Sequence, residues 1–188
     1  MRDLIVTENI TLDGVIDARD GWFSSGGDDD LAAINREHMA AADAVLLGRV
    51  TYDEFAGYWP AQTDDTTGVS DYLNRTTKYV VTSSLTVADW QNTTILHGPL
   101  TDDIAELKRQ PGKDIVATGS VTLVRSLVRE NLVDVYRLFV YPLVLGHGRR
   151  LFPDGIDSKL RLADTKSFRS GVVLLSYRMV QAAGDGVR

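Results

Sequence analysis

Apolar stretches rich in Val, Ile and Leu alternate along the chain with segments whose apolar residues recur at helical spacing. Continuous apolar runs are typical of strands covered on both faces, so this alternation predicts a mostly parallel sheet flanked by helices. The predicted strands are residues 4–10, 44–47, 78–82, 94–96, 114–117, 135–141 and 172–179. The predicted helices are residues 30–41, 51–56, 69–75, 101–108 and 121–130.

The last third of the chain departs from a simple alternation of strands and helices. The strand at 135–141 is followed by Pro142 and the Gly146-His147-Gly148 turn, and a polar stretch then leads to the final strand. This order predicts that the two end strands pair antiparallel, which makes the sheet mixed. We expect a single domain over residues 1–181, with residues 182–188 as a disordered tail.

Composition narrows the classes of partner and of chemistry. The 188-residue chain has no cysteine, and its three histidines are too scattered for a metal site, so we expect no bound metal. A net charge of −6 disfavours a nucleic-acid partner, because a phosphate backbone would be repelled. No apolar run approaches the ~20 residues of a membrane span, and the N-terminus opens directly into a strand. We therefore expect a cytoplasmic protein with no membrane partner.

Two predicted strands end in side chains suited to binding an anion. Gly48, Arg49 and Thr51 follow one of them at a helix start, where backbone N–H groups, the helix dipole and the guanidinium attract a phosphate. An ordinary turn with a solvated Arg49 and with Thr51 as the helix N-cap explains this segment equally well. Ser83 and Ser84 follow another strand, and ligands of parallel sheets bind at such carboxyl ends. Two serines after a strand are also common in plain turns.

A third strand end combines small residues with a helix start. Thr118, Gly119 and Ser120 lead into the helix that begins at Val121. Such a turn exposes backbone donors to a pyrophosphate, and the absence of bulky side chains lets the phosphates approach. It has neither the Lys of a P-loop nor the three glycines of a Rossmann fingerprint. A tight turn with Ser120 as a cap is the alternative interpretation.

The order and spacing of these segments resemble the dihydrofolate reductases, and more closely the C-terminal reductase domain of the bifunctional riboflavin-biosynthesis deaminase/reductase and its stand-alone relatives. The resemblance covers nearly the whole chain. It implies an α/β fold of three layers, with a mostly parallel mixed sheet and antiparallel C-terminal strands. The motifs that carry it are Thr11-Leu12-Asp13-Gly14-Val15, Gly48-Arg49-Val50-Thr51-Tyr52, Thr82-Ser83-Ser84, Thr118-Gly119-Ser120, Asn131-Leu132-Val133-Asp134 and Leu145-Gly146-His147-Gly148.

The resemblance also implies NADPH as the cofactor. Arg49 and either Ser83 or Ser84 would hold its 2'-phosphate, while Thr51 and the backbone at 119–121 would hold its pyrophosphate. An Arg fork at a phosphate favours NADPH over NADH, because NADH leaves the cation unpaired. The implied cofactor residues are Gly48, Arg49, Thr51, Ser83, Ser84, Thr118, Gly119, Ser120 and Val121.

Two carboxylates are candidates for the proton source that hydride transfer requires. Dihydrofolate reductases carry one on the first helix, where Asp30 stands here, although Asp28 and Asp29 make the assignment ambiguous. Capping and helix-dipole complementarity alone also select consecutive Asp residues at a helix start. The second candidate is Asp13, because the family's Asp-Gly segment approaches the substrate and the nicotinamide. With Gly14 it is equally a common turn pair.

The resemblance predicts a homodimer that reduces a small heterocycle, such as the phosphoribosylaminouracil precursor of riboflavin or a dihydrofolate-like compound. A protein that keeps the fold as a non-catalytic nucleotide-binding or interaction module is the alternative, because fold does not fix function. Aromatic residues near the substrate site would equally serve as core. The candidate substrate-binding residues are Asp13, Gly14, Trp22, Phe55, Gly146 and His147.

Overall fold

A computed structural model describes residues 1–17, 21–23 and 28–180 of the chain. The tail predicted at 182–188 lies outside the described residues. The strands are β1 (Leu4–Thr11), β2 (Ala42–Gly48), β3 (Thr77–Val81), β4 (Thr93–Leu96), β5 (Asp114–Thr118), β6 (Val135–Tyr141), β7 (Leu160–Ser167) and β8 (Val173–Met179). The helices are α1 (Asp29–Ala40), α2 (Arg49–Tyr58), α3 (Val69–Arg75), α4 (Leu100–Arg109) and α5 (Val121–Arg129).

These strands form one sheet of eight, in the order β4-β3-β2-β5-β1-β6-β8-β7. All pairings from β4 across to β6 are parallel, whereas β8 runs antiparallel to both β6 and β7. The predicted α/β fold with a mostly parallel mixed sheet and antiparallel C-terminal strands is therefore confirmed. The antiparallel pairing of the strands at 135–141 and 172–179 is also confirmed.

The sequence prediction missed strand β7. The segment Leu160–Ser167 was predicted only as a polar stretch, and the structure shows an eight-residue strand at the edge of the sheet. All but its first residue are exposed, so the segment carries no apolar face that a sequence pattern would reveal. Its pairing with β8 along the whole length is what makes it a strand.

The two faces of the sheet bury separate apolar clusters. Leu4 and Val6 of β1 belong to the cluster that α4 and α5 cover, and α5 contributes an apolar stripe that includes Leu123 and Leu127. Successive strand residues point to opposite faces, so Val45 and its alternate neighbours in β2 pack under α2 and α3. Burial on both faces fixes the register of the central strands. The carboxyl ends of β1, β2, β3 and β5 therefore lie together at one end of these strands.

Candidate functional site

A cleft of about 1240 Å³ opens at the carboxyl ends of the central parallel strands. It lies where the central parallel strands end and where α2 and α5 begin, the usual position of ligand sites in such sheets. Because β2 pairs with both β3 and β5, the three predicted anion-binding segments are neighbours. The structure brings all the predicted cofactor residues onto its wall, namely Gly48, Arg49, Thr51, Ser83, Ser84, Thr118, Gly119, Ser120 and Val121.

The turn between β5 and α5 has an unusual backbone. Gly119 and Ser120 both adopt positive φ, +63° and +54°, and Ser120 occupies the N-cap position of α5. The side chain of Ser120 makes no capping hydrogen bond, so the alternative interpretation, in which Ser120 caps the helix through its side chain, is wrong. The turn therefore leaves the start of α5 without a side-chain cap, and its positive end faces the cleft.

Two glycines allow the strand ends to approach each other closely. A Cβ added to Gly48 would overlap Ser120 Oγ, and one added to Gly119 would lie 3.0 Å from Thr51 Cγ2. Gly48 is the N-cap of α2 and Thr51 is buried within its first turn, so Thr51 is not the N-cap. Without a Cβ at either glycine, the starts of α2 and α5 lie in contact, which brings the backbone N–H groups of both helix starts to one part of the cleft.

Arg49 stands at the first position of α2, next to this surface. Its Nη1 donates to Asp53 Oδ2 at 2.7 Å, and both side chains are about half exposed, each at 47%. Ser83 and Ser84 are exposed after β3, where Thr82 Oγ1 accepts the Ser84 N–H at 3.1 Å. The guanidinium is thus accessible and bound to a partner that a phosphate dianion can replace.

His97 is a wall residue that the sequence analysis did not assign to the site. It follows β4, and its Nδ1 lies 2.8 Å from the carbonyl oxygen of Thr82, which places the ring beside the two serines. The pairing of β3 with β4 makes this arrangement, and the predicted strand at 94–96 was the only sequence signal for it. Its imidazole adds a hydrogen-bonding group to this end of the cleft.

Asp13 holds two loops together. Its carboxylate accepts hydrogen bonds from Thr11 Oγ1 at 2.6 Å, from the Gly146 N–H at 2.8 Å and from the Leu145 N–H at 3.3 Å. These bonds, the Thr11 hydroxyl first, lower the pKa of Asp13 to about 2. Gly14 completes the turn with φ of +84°. An acid that is ionised throughout the neutral range cannot donate a proton there, so Asp13 fits a positioning role.

The three consecutive aspartates at α1 have different surroundings. Asp28 is the buried N-cap: its carboxylate accepts the Leu31 N–H at 3.2 Å and the Ser170 N–H at 3.0 Å. Asp29 and Asp30 are exposed in the first helical turn, and Asp30 is not among the described residues that line the cleft. This placement gives no support to Asp30 as the proton source and matches the capping interpretation.

The predicted substrate residues do not all come together. Phe55 lines the cleft, and so does Phe23, another aromatic residue that the sequence offers for the substrate pocket. Trp22 packs edge-on against Tyr141 and donates its indole N–H to the Asp17 carbonyl at 2.8 Å. Trp22, Asp13, Gly14, Gly146 and His147 are all absent from the described wall of the cleft.

Glu8 is the residue on the wall that sequence reasoning missed most clearly. It stands in the middle of β1, on the face that also buries Val6 and Ile10, and is only 6% exposed. Burial raises the pKa of Glu8 well above its usual value, and a hydrogen bond from the Gly119 backbone opposes part of this rise. A charged residue in an otherwise apolar β1 alternation was the available sequence signal.

Residues 2–174 match the RibD C-terminal domain family, and the chain belongs to that family. The uncharacterized protein YyaP of Bacillus subtilis is 31% identical over 185 residues, which cover 94% of each chain. A second uncharacterized protein of that organism, YwjB, is 31% identical over 172 residues, 88% of this chain and 91% of its own. The resemblance inferred from the sequence motifs is thus confirmed.

Solved structures show the same fold at low identity. A putative riboflavin biosynthesis protein from Shewanella sp. PV-4 superposes with a TM-score of 0.71 at 19% identity, covering 95% of this chain and 99% of that one. Dihydrofolate reductase from Enterococcus faecalis, solved in complex with NADP(H), gives a TM-score of 0.59 at 14% identity, with coverages of 94% and 96%. The fold is therefore dihydrofolate-reductase-like.

Within residues 1–17, 21–23 and 28–180, no helix has the length and apolar character needed to cross a membrane. The same residues contain no cluster of three or more His, Cys, Asp or Glu side chains arranged to hold a metal ion.

Proposed function

We propose that this protein is an NADPH-dependent reductase of a small heterocyclic substrate. Membership of the RibD C-terminal domain family supports a reductase-like function. The observation that carries the proposal is the meeting, in one cleft, of an accessible Arg49 with the uncapped start of α5. A dinucleotide with an extra phosphate has two anionic groups, and each of these features suits one of them.

The residues present fit such a cofactor. Gly48 and Gly119 let the starts of α2 and α5 lie in direct contact, with Ser120 Oγ against Gly48 and Thr51 against Gly119. Arg49 with Ser83 or Ser84 would hold the 2'-phosphate, and Thr51 with the 119–121 backbone would hold the pyrophosphate. When bound, a dihydronicotinamide supplies the hydride for the reduction.

The substrate would be a flat, polar ring compound, such as the phosphoribosylaminouracil precursor of riboflavin or a dihydrofolate-like heterocycle. Support comes from the family and from Phe23 and Phe55, whose rings give the wall apolar surface. Arg149 shares this wall and is 3.0 Å from Asp17, so its guanidinium is oriented by a buried carboxylate. It offers a positive charge to an anionic substituent of the substrate.

Fluorescence titration with NADPH and NADH tests the proposal. We expect NADPH to bind at least about tenfold more tightly than NADH, because only NADPH has the dianion that Arg49 would pair with. Binding should be followed by oxidation of NADPH, monitored by absorbance, with a member of a panel of pterins, pyrimidine riboflavin precursors and aldehydes. Absence of binding by either nucleotide contradicts the proposal. Binding without oxidation across the panel favours a non-catalytic nucleotide-binding module.

A further inference from the structure

Glu8 presents an unsatisfied oxygen in the wall of the cleft. One side of its carboxyl group accepts the backbone N–H of Gly119, while Oε1 is buried without a hydrogen-bond partner among the described residues. The side chain is more than nine-tenths buried and lines the same cleft as the Gly119–Ser120 turn. A buried polar atom without a partner is costly, so a ligand in the cleft that reaches this carboxyl group would supply a hydrogen bond that the free protein lacks.

The surroundings of Glu8 favour the neutral acid. The charged and titratable groups that face the cleft from the neighbouring elements are Arg49 and Glu54 on α2, His97 after β4, and Asp17 and Arg149 in the loops. Both arginines already pair with other carboxylates, Arg49 with Asp53 and Arg149 with Asp17. Burial raises the Glu8 pKa, and a single backbone N–H offsets this only in part.

The neutral form is also the one compatible with an anionic ligand. Glu8 is bonded to the turn at which the pyrophosphate of the proposed cofactor would bind, and its side chain is buried. An ionised carboxylate there would repel the pyrophosphate, and low local polarity would strengthen the repulsion. The neutral acid removes that repulsion and adds an O–H donor at Oε1.

We propose that Glu8 is a cofactor-binding residue that acts as a neutral carboxylic acid, donating a hydrogen bond from Oε1 to the bound dinucleotide. The inference rests on the proposed function and goes one step beyond it. NADPH binds to the form of the protein in which Glu8 is protonated. Where Glu8 is ionised in the free protein, binding takes up that proton from the buffer. The dinucleotide affinity is therefore linked to the protonation of a residue buried in the central strand of the sheet.

Two measurements on wild type and Glu8→Gln test this inference with NADPH as the probe. Difference infrared spectroscopy of the NADPH complex at about pH 8 should show the carbonyl band of a protonated carboxylic acid, and Glu8→Gln should remove it. The Kd of NADPH should rise in wild type by up to about tenfold per pH unit once the pH exceeds the Glu8 pKa. Gln keeps both an acceptor and a donor without charge, so its Kd should stay within about threefold of wild type near pH 7.

The controls separate Glu8 from other titrations. The 2'-phosphate titrates near pH 6, so measurements from about pH 7 to pH 9 avoid it. Glu37→Gln changes the net charge equally at an exposed position of α1, and its NADPH affinity and pH dependence should match wild type. Circular dichroism verifies that each variant is folded.

A complex without the acid band, or a rise in Kd that is the same in Glu8→Gln and wild type, overturns the inference and leaves the proposed function standing. Failure of wild type to bind NADPH at any pH overturns both.

Discussion

Arg49 bonds to Asp53 across one turn of α2, with 2.7 Å between Nη1 and Oδ2. The pair is exposed on both sides, so it stabilises the helix little and leaves the guanidinium available to a ligand. Arg49→Ala should weaken NADPH by about 1.5 to 3 kcal/mol, roughly 10- to 150-fold, and NADH far less. Parallel titrations of both nucleotides measure the difference. An equal loss for the two would contradict the assignment of Arg49 to the 2'-phosphate.

Asp53→Asn is the matched variant for this prediction. It removes the charge that competes for Arg49 while leaving the guanidinium in place. We expect NADPH to bind as tightly as in wild type or a few-fold more tightly, because the phosphate no longer displaces a carboxylate. A loss of NADPH affinity comparable with that of Arg49→Ala would show that the ion pair, not the free guanidinium, is needed.

Gly119→Val should abolish NADPH binding in a protein that still folds. Gly119 has φ of +63°, and a Cβ there would contact Thr51, so the substitution strains the turn by about 1 to 3 kcal/mol and blocks the cleft surface. Gly57→Ala is the matched control, because Gly57 lies in α2 and a Cβ added there would meet open space. It should bind NADPH normally and gain about 0.5 to 1 kcal/mol in stability. Unchanged NADPH binding by the valine variant would make the turn purely structural.

Asp13→Asn should loosen the contact between the two loops that Asp13 joins. The amide of Asn keeps one acceptor oxygen, so it cannot reproduce the bonds from Thr11, Leu145 and Gly146 together. Hydrogen exchange of the Leu145 and Gly146 amides should accelerate, and Asp157→Asn, at an exposed position of the same region, should leave it unchanged. Unaltered exchange in the Asp13 variant would remove its positioning role.

The lowered pKa of Asp13 also predicts that the stability of the folded protein depends on pH in the acidic range. The pKa of Asp13 is lowered in the folded protein to about 2, so its contribution to stability is present above the unfolded pKa near ~3.9 and is lost as the pH falls through about 2. The stability difference between wild type and Asp13→Asn, measured by chemical denaturation, should therefore shrink over this range. A stability difference that does not vary with pH would mean that the charge of Asp13 contributes nothing to the stability of the folded protein.

The parts of the fold that depend on burial were accessible from the sequence. Strand β6 has the predicted bounds, 135–141, and α5 begins at the predicted Val121, since both elements carry the apolar patterns that their buried faces require. Strand β7 was not accessible, because its pairing with β8 is made by the backbone while its side chains face solvent. Backbone pairing of an exposed edge leaves no periodic signal in the sequence.

The candidate site likewise has parts that the sequence predicts and parts that it does not. The anion-binding segments were predicted because Gly, Ser and Arg at strand ends have a local physical meaning, and the sheet brings those ends together. The carboxylates at the start of α1 were not separable, since Asp28 and Asp30 stand in one run of aspartates and differ only in burial and hydrogen bonding. Glu8 was not identified because the cleft wall to which it belongs forms only after β1 and β5 have paired.

The raised pKa of Glu8 also predicts how the stability of the ligand-free protein varies with pH. The pKa of Glu8 is raised in the folded state, so above the unfolded pKa near ~4.3 the unfolded chain loses a proton that the folded protein keeps. Stability should consequently fall with rising pH, by up to about 1.4 kcal/mol per unit, until the folded-state pKa is passed. Glu8→Gln removes this titration, so its stability relative to wild type should increase across the same range. Urea denaturation of both proteins at several pH values from about 4.5 to 8 measures that difference, with Glu37→Gln as the exposed control. A difference that stays constant with pH would show that Glu8 is ionised in the folded protein as readily as in the unfolded chain.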